Sequence, residues 1–300
     1  MNRREFLSTS VIGIAGLSSL AHAALGARPS HRLRFAPHQG MFQLLAGESP
    51  LEQIEFLSQK GFTALDDRYL LRRSTSEISH LSQALADRQM TWGAGLIWED
   101  YGASILDNAF RGDLSFSASM SRAMQTAREI PEFNRGIVAP GRLQEGRSRS
   151  HQLQAVAEML QPIAEESLQF GLELLLEPHG QLPGSEPMLL DSIEHAVELC
   201  ELIGHPSVKI VYDVYRESMN GRDVIDDLAR WGSHIGYFRI GDVPGNKEPG
   251  TGTFPFLSFF QQLIDQQFAG IIGMDHGLSQ PGLQGELAVL ESYRNLLDRL

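Results

Sequence analysis

Leu174-Leu175-Leu176-Glu177-Pro178-His179 is a short apolar run that stops on a carboxylate. Three leucines suit a buried strand, and an unpaired charge at the end of one is costly, so the glutamate needs a reason. The rest of the chain suggests one, because the run is not alone. Short apolar or β-branched runs occur near 32–37, 62–66, 90–97, 134–139, 171–177, 207–213, 235–241 and 270–275, eight in all. Amphipathic stretches lie between them. Ser49-Pro50-Leu51-Glu52 has an N-cap serine, a proline at the first helical position and a capping-box glutamate. Leu51, Ile54 and Leu57 then share one face, and Gly61 can stop the helix. Ser74 to Glu77 repeats that spacing before Ile78, Leu81 and Leu85, and Phe256, Phe259, Phe260 and Leu263 form a later stripe.

Eight strand–helix units argue for a closed parallel (β/α)₈ barrel of the α/β class, a TIM barrel, which typically takes about 250 residues. The expected organisation is a single barrel over 24–300. A doubly wound open sheet would place a glycine-rich turn after the first strand. Phe35-Ala36-Pro37-His38-Gln39-Gly40 is not G-x-G-x-x-G. The longest connection, from Trp98 to about Phe116, reads as a lid or as a plain surface insertion. The net charge of −12, with no long basic run, disfavours nucleic acid as a partner by repulsion, and none is expected.

The first 23 residues are expected to lie outside the fold. Asn2-Arg3-Arg4-Glu5-Phe6-Leu7 looks like a twin-arginine export signal, and an apolar stretch from Val11 to Leu20 follows. Ala21-His22-Ala23 supplies the small residues of a cleavage site. The apolar stretch is shorter than the ~18 residues a bilayer span needs, so no stable membrane anchor is expected after cleavage. The destination is periplasmic or extracellular. Replacing Arg3 and Arg4 by lysine should strand the chain in the cytoplasm, as cell fractionation would report. Cys200 is the single cysteine, so no internal disulfide is expected. It shares the apolar stripe of Ile193 and Val197 and reads as a core residue.

In such barrels the active site lies at the C-terminal ends of the strands. The eight runs end, in order, at His38, at Asp66-Asp67, at Trp98-Glu99, near Arg142, at Glu177-Pro178-His179, at Tyr212-Asp213, around Arg239 to Asp242, and at Asp275-His276. Glu177, Asp213 and Asp275 all belong at the central mouth, either paired with local cations or forming one site. Gly250 and Gly252 either leave backbone N–H groups free for a phosphate or carboxylate or form a plain tight turn. His38 and His276 read as ligands or acids, or as hydrogen-bonded structural residues.

Leu176-Glu177-Pro178 looks like the glutamate-proline strand end of hydroxypyruvate isomerases, and Tyr212-Asp213-Val214-Tyr215 looks like their Asp-x-Tyr segment. Ile240-Gly241-Asp242-Val243-Pro244-Gly245-Asn246-Lys247-Glu248-Pro249-Gly250-Thr251-Gly252 is similar to their Asp-x-Pro-Gly turn followed by Glu-Pro-Gly-x-Gly. Gly273-Met274-Asp275-His276 resembles their Gly-x-Glu-Tyr end. The chain thus resembles the hydroxypyruvate isomerase family of the xylose isomerase-like barrels, with the strong motifs confined to the fifth run onward.

The resemblance implies an isomerase or epimerase of a small sugar or hydroxy-carbonyl compound. It implies a divalent cation, Mg²⁺ or Mn²⁺, held by Glu177, Asp213 and Asp275, and no organic cofactor. Glu177 and Asp275 would then pass a proton across an enediolate that the metal stabilises. Arg239, His38, His179, His276, Gly250 and Gly252 would bind substrate. The chain departs from the family at three positions. Asp275 stands in place of a glutamate and is one methylene shorter. Arg216 replaces a usual histidine. Arg239 stands where the family has Gln or His, and a guanidinium has no lone pair to give a metal. Arg239 is therefore expected to sit among Glu177, Asp213 and Asp275 and to take over part of the metal's electrostatic role, unless it pairs with Asp242 or Glu248. Other readings are a lyase or hydrolase acting on oxidised sugars at the same site, and a sugar-binding barrel without catalysis. A glycosidase is disfavoured because the fourth run ends without an acid.

Overall fold

The structure is a computed structural model, and residues 33–107, 115–180 and 186–300 are described. The expected export signal at 1–23 lies outside the described residues, as does part of the long connection after Trp98. The strands are β1 (Phe35–Pro37), β2 (Ala64–Leu65), β3 (Thr91–Trp92), β4 (Gly95–Glu99), β5 (Arg135–Ala139), β6 (Glu173–Leu176), β7 (Val208–Asp213), β8 (Ile235–Ile240) and β9 (Ile271–Met274). Seven form one parallel ladder in the order β1-β9-β8-β7-β6-β5-β4, and β2 pairs with β3. A parallel bridge between His38 and Asp66 joins β1 to β2 and closes the ring. There the Asp66 N–H donates to the Pro37 carbonyl at 2.9 Å, and the Gln39 N–H donates to the Asp66 carbonyl at 2.8 Å. The protein is the expected α/β TIM barrel.

The third expected strand, 90–97, is two strands with a break at Gly93-Ala94. The Asp66 carboxylate causes the break. Its Oδ1 accepts from the Ala94 N–H at 3.1 Å, and a Cβ at position 93 would lie 2.5 Å from the same oxygen.

Strand alternation sorts the side chains. Ala36, Ala64, Ala94, Ile137, Leu175, Val211, Tyr237 and Ile271 form one buried cluster, the barrel interior. Leu174, Leu176, Ile210, Tyr212, Phe238, Ile240, Ile272 and Met274 belong to the larger core between strands and helices. Counting two residues onward from Ala64, Leu175, Val211 and Tyr237 reaches Asp66, Glu177, Asp213 and Arg239. Counting on from Ile271 through Gly273 reaches Asp275. The inner face of the barrel therefore delivers all five to its C-terminal mouth.

The surrounding helices follow their local signals. Pro50–Gln59 and Thr75–Ala86 both carry complete capping boxes, from Ser49 with Glu52 and from Ser74 with Glu77. Ile54 and Leu57 are buried as expected, but Leu51, at the second helical position, is exposed. Phe256–Asp265 buries all four residues of its stripe, and Cys200 is buried in Ile193–Ile203.

Candidate active site

Glu177 lies at the centre of the mouth and is 1% exposed. Its Oε2 accepts from Arg68 Nη2 at 2.8 Å, and its Oε1 accepts from Arg68 Nη1 at 3.2 Å and also from Arg239 Nη1. Arg239 Nε lies 3.6 Å from Asp275 Oδ2, and the Asp275 side chain is 57% exposed. On the other side Arg68 Nη2 donates to Glu99 Oε2 at 2.9 Å, as does the Tyr101 hydroxyl. That hydroxyl is 2.8 Å from His179 Nε2. One network thus crosses the mouth: Asp275, Arg239, Glu177, Arg68, Glu99, Tyr101 and His179.

The Tyr101 proton goes to Glu99, so the hydroxyl accepts from His179 Nε2–H. Nδ1 of His179 is buried and lies toward the Glu177 backbone. Burial lowers the His179 pKa, with Arg216 adding to the effect against the pull of Glu177, so the neutral ring is favoured.

Burial alone would raise the Glu177 pKa. Arg239 and Arg68 outweigh it and hold the carboxyl well below the usual range. Burial works against the Arg239 charge, and Glu177 and Asp275 reverse that. Asp66 behaves oppositely: burial pushes its carboxyl up, only partly offset by Arg239. A carboxylate held ionised by two guanidinium groups is a weak base. Glu177 is built as their counter-ion, a setting that disfavours the acid/base role the resemblance implied for it.

Asp213 caps the helix Val214–Met219, accepting from the Arg216 N–H at 2.9 Å, and its Oδ2 is 3.5 Å from Arg216 Nη2. Arg239 therefore joins two of the three expected carboxylates, and Arg216 takes the third. Nor does Arg239 pair with Asp242 or Glu248. Asp242 is 1% exposed and accepts from the N–H groups of Val243, Gly250, Gly252 and Phe254 at 2.8–3.0 Å. Glu248 accepts from the N–H and hydroxyl of Ser279. The N–H groups of Gly250 and Gly252 are thus not free for a substrate anion, because the chain's own carboxylate fills that nest. Gly252 must be glycine, since a Cβ there would lie 1.9 Å from the Val243 carbonyl oxygen. Asp242→Ala should cost about 2–3 kcal/mol by leaving buried donors unpaired. Urea unfolding would show it, and a loss below ~0.5 kcal/mol would mean the loop holds without these bonds.

His276 points the other way from Asp275, as strand alternation requires. It is 4% exposed, its Nδ1 donates to the Gly277 carbonyl at 2.9 Å, and its Nε2 accepts from the Tyr293 hydroxyl at 2.8 Å. Its role is to anchor the C-terminal helix, not to bind substrate or metal. His38 stands exposed at the rim, with Nδ1 3.0 Å from the Gln39 carbonyl.

The donor set does not fit a divalent cation. Among the described residues no three His, Cys, Asp or Glu side chains gather as a ligand set. Both Glu177 oxygens are engaged by guanidinium groups, and Asp213 is engaged by Arg216. The sequence reading missed Arg68 and Tyr101. Arg68 directly follows the Asp66-Asp67 strand end, and Tyr101 follows Glu99 within the long connection. Neither position carried a periodic signal. Two shallow surface depressions, of about 350 and 410 Å³, lie away from these residues.

The family profile described as "Xylose isomerase-like TIM barrel" matches residues 54–296. The chain is 28% identical to hydroxypyruvate isomerase of Escherichia coli K12 over 123 residues, which is 40% of this chain and 46% of that protein. It is 26% identical to a putative hydroxypyruvate isomerase of Streptomyces coelicolor over 212 residues, 67% of this chain and 74% of the other. The match thus spans about half the length of the first relative and about three quarters of the second. Among solved structures, 3-keto-D-glucoside 4-epimerase from E. coli superposes with a TM-score of 0.69 at 16% identity, covering 89% of this chain and 100% of that one. A D-psicose 3-epimerase superposes at 0.65 and 15% identity, covering 89% and 97%. These two show a shared fold.

Proposed function

Because the chain belongs to the xylose isomerase-like TIM barrel family, we propose that it is an isomerase of a small hydroxy-carbonyl compound or sugar, working through an enediolate at the mouth. The observation that carries this is Arg239, placed between the buried counter-ion Glu177 and the exposed carboxylate Asp275. The curated relatives named as hydroxypyruvate isomerases support the reaction class.

In this reading Asp275 takes a proton from the carbon that bears the substrate hydroxyl. The C–H electron pair becomes the carbon–carbon double bond, and the carbonyl oxygen takes the negative charge facing Arg239 and Arg68. Asp275 then returns the proton to the former carbonyl carbon. The hydroxyl oxygen loses its proton, and its electron pair becomes the new carbonyl. The exchange is redox-neutral, and one base serves both adjacent carbons from one face. The proton leaving the hydroxyl oxygen ends on the former carbonyl oxygen, carried between these adjacent substrate oxygens by water at the exposed Asp275 side of the mouth. Inverting a stereocentre needs a second base on the opposite face, and Glu177 is poorly suited to that. This favours isomerisation over epimerisation.

The export motif at Arg3-Arg4 is the sole support for placing this activity outside the cytoplasm. The reaction is tested by incubating the protein in D₂O with hydroxypyruvate and a panel of aldoses and ketoses, followed by NMR. A shifted carbonyl with deuterium on the adjacent carbon is expected. Epimers forming with the carbonyl in place would assign an epimerase instead. No carbon–hydrogen exchange across the panel would remove the isomerase reading.

A further inference from the structure

We infer that this mouth excludes a divalent cation, and that the guanidinium groups of Arg239 and Arg68 fill the place such an ion would take. A hard cation needs several free oxygens converging on one point. Glu177 offers two oxygens, and both accept guanidinium N–H groups. Asp213 holds a helix N-terminus and Arg216. Asp275 faces Arg239.

Register makes the arrangement permanent. Arg239 lies opposite Asp213 on β7 and Gly273 on β9, and its inward position follows from Tyr237 two residues earlier. The guanidinium therefore enters the ring between the two strands that carry the other carboxylates. Gly273 adds no side chain to push it aside. Arginine does not shed its proton at any working pH, so the site cannot open to a metal by titration.

Charge at contact distance, rather than in sum, reaches the same result. Two guanidinium groups already face three carboxylates, Glu177, Glu99 and Asp275, across this network. A dication placed on Glu177 would meet both guanidinium groups at contact distance, where like charges repel strongly even with partial screening. In the reaction, the two arginines stabilise developing oxyanion charge with fixed N–H donors.

Mn²⁺ binding tests the inference without turnover, so the result stands whether or not the isomerase reading does. Purified protein is dialysed, its metal content measured, and Mn²⁺ titrated by electron paramagnetic resonance. Wild type should retain far less than one divalent ion per chain and bind Mn²⁺ only weakly. Arg239→Gln removes a charge and adds a neutral oxygen beside Glu177, so it should bind Mn²⁺ at least about tenfold more tightly. Arg239→Lys keeps the charge and should bind no better than wild type. One tightly held ion per wild-type chain would overturn the inference, whether or not either variant folds. So would a folded Arg239→Gln with wild-type Mn²⁺ affinity.

Discussion

Asp275→Asn is expected to lower kcat by at least ~10²-fold while leaving the fold intact, the usual effect of removing a general acid/base. Asparagine keeps the shape of the side chain and an oxygen facing Arg239, but it cannot take a proton. The stability cost should be small because the side chain is 57% exposed and Arg239 keeps Glu177 as its buried partner. KM should change only a few-fold, since the loss falls on the transition state. Once a substrate is identified, steady-state kinetics and a thermal melt decide the matter. Turnover within about threefold of wild type would remove Asp275 from the proton path.

Glu177→Gln should do the reverse of what the family resemblance implies and damage stability first, by about 3–5 kcal/mol at neutral pH, the cost of breaking a buried ion pair from one side. The substitution leaves Arg68 and Arg239 without a common counter-ion and turns an amide N–H₂ toward guanidinium donors. The effect is linked to pH. The folded pKa of Glu177 lies below its unfolded value, so its contribution is fully present above the unfolded value of ~4.3 and is lost as pH falls toward the folded one. The gap between wild type and Glu177→Gln should therefore be widest near neutrality and shrink below about pH 4, where the unfolded glutamate is protonated. Urea unfolding at a series of pH values measures it. A variant as stable as wild type but inactive would return Glu177 to the role of catalytic base.

Much of the architecture is written locally. Apolar runs bounded by capping boxes specify strands and helices, because these signals act over a few residues. Alternation with a period of two then sends Glu177, Asp213, Arg239 and Asp275 to the inner face, so the membership of the mouth was legible in the sequence. The lack of a lone pair on Arg239 was legible as well, since it is a property of the residue type. Periodicity names a face and not a partner, and the tertiary structure chose the partners. Arg68 reaches Glu177 across 109 positions of chain, from a second strand whose end had shown only its two aspartates. Asp66 broke the third run by taking the space beside Gly93, which no local pattern announces. Asp242 filled the turn at Gly250 and Gly252, and Tyr293 supplied the partner of His276 on the helix side. The Asp242 turn closes over only 8 to 10 positions of chain, but the Arg68 and Asp66 contacts depend on distances across a closed ring. Those distances exist only once the ring has closed, and they turned a family ligand set into an ion-paired network.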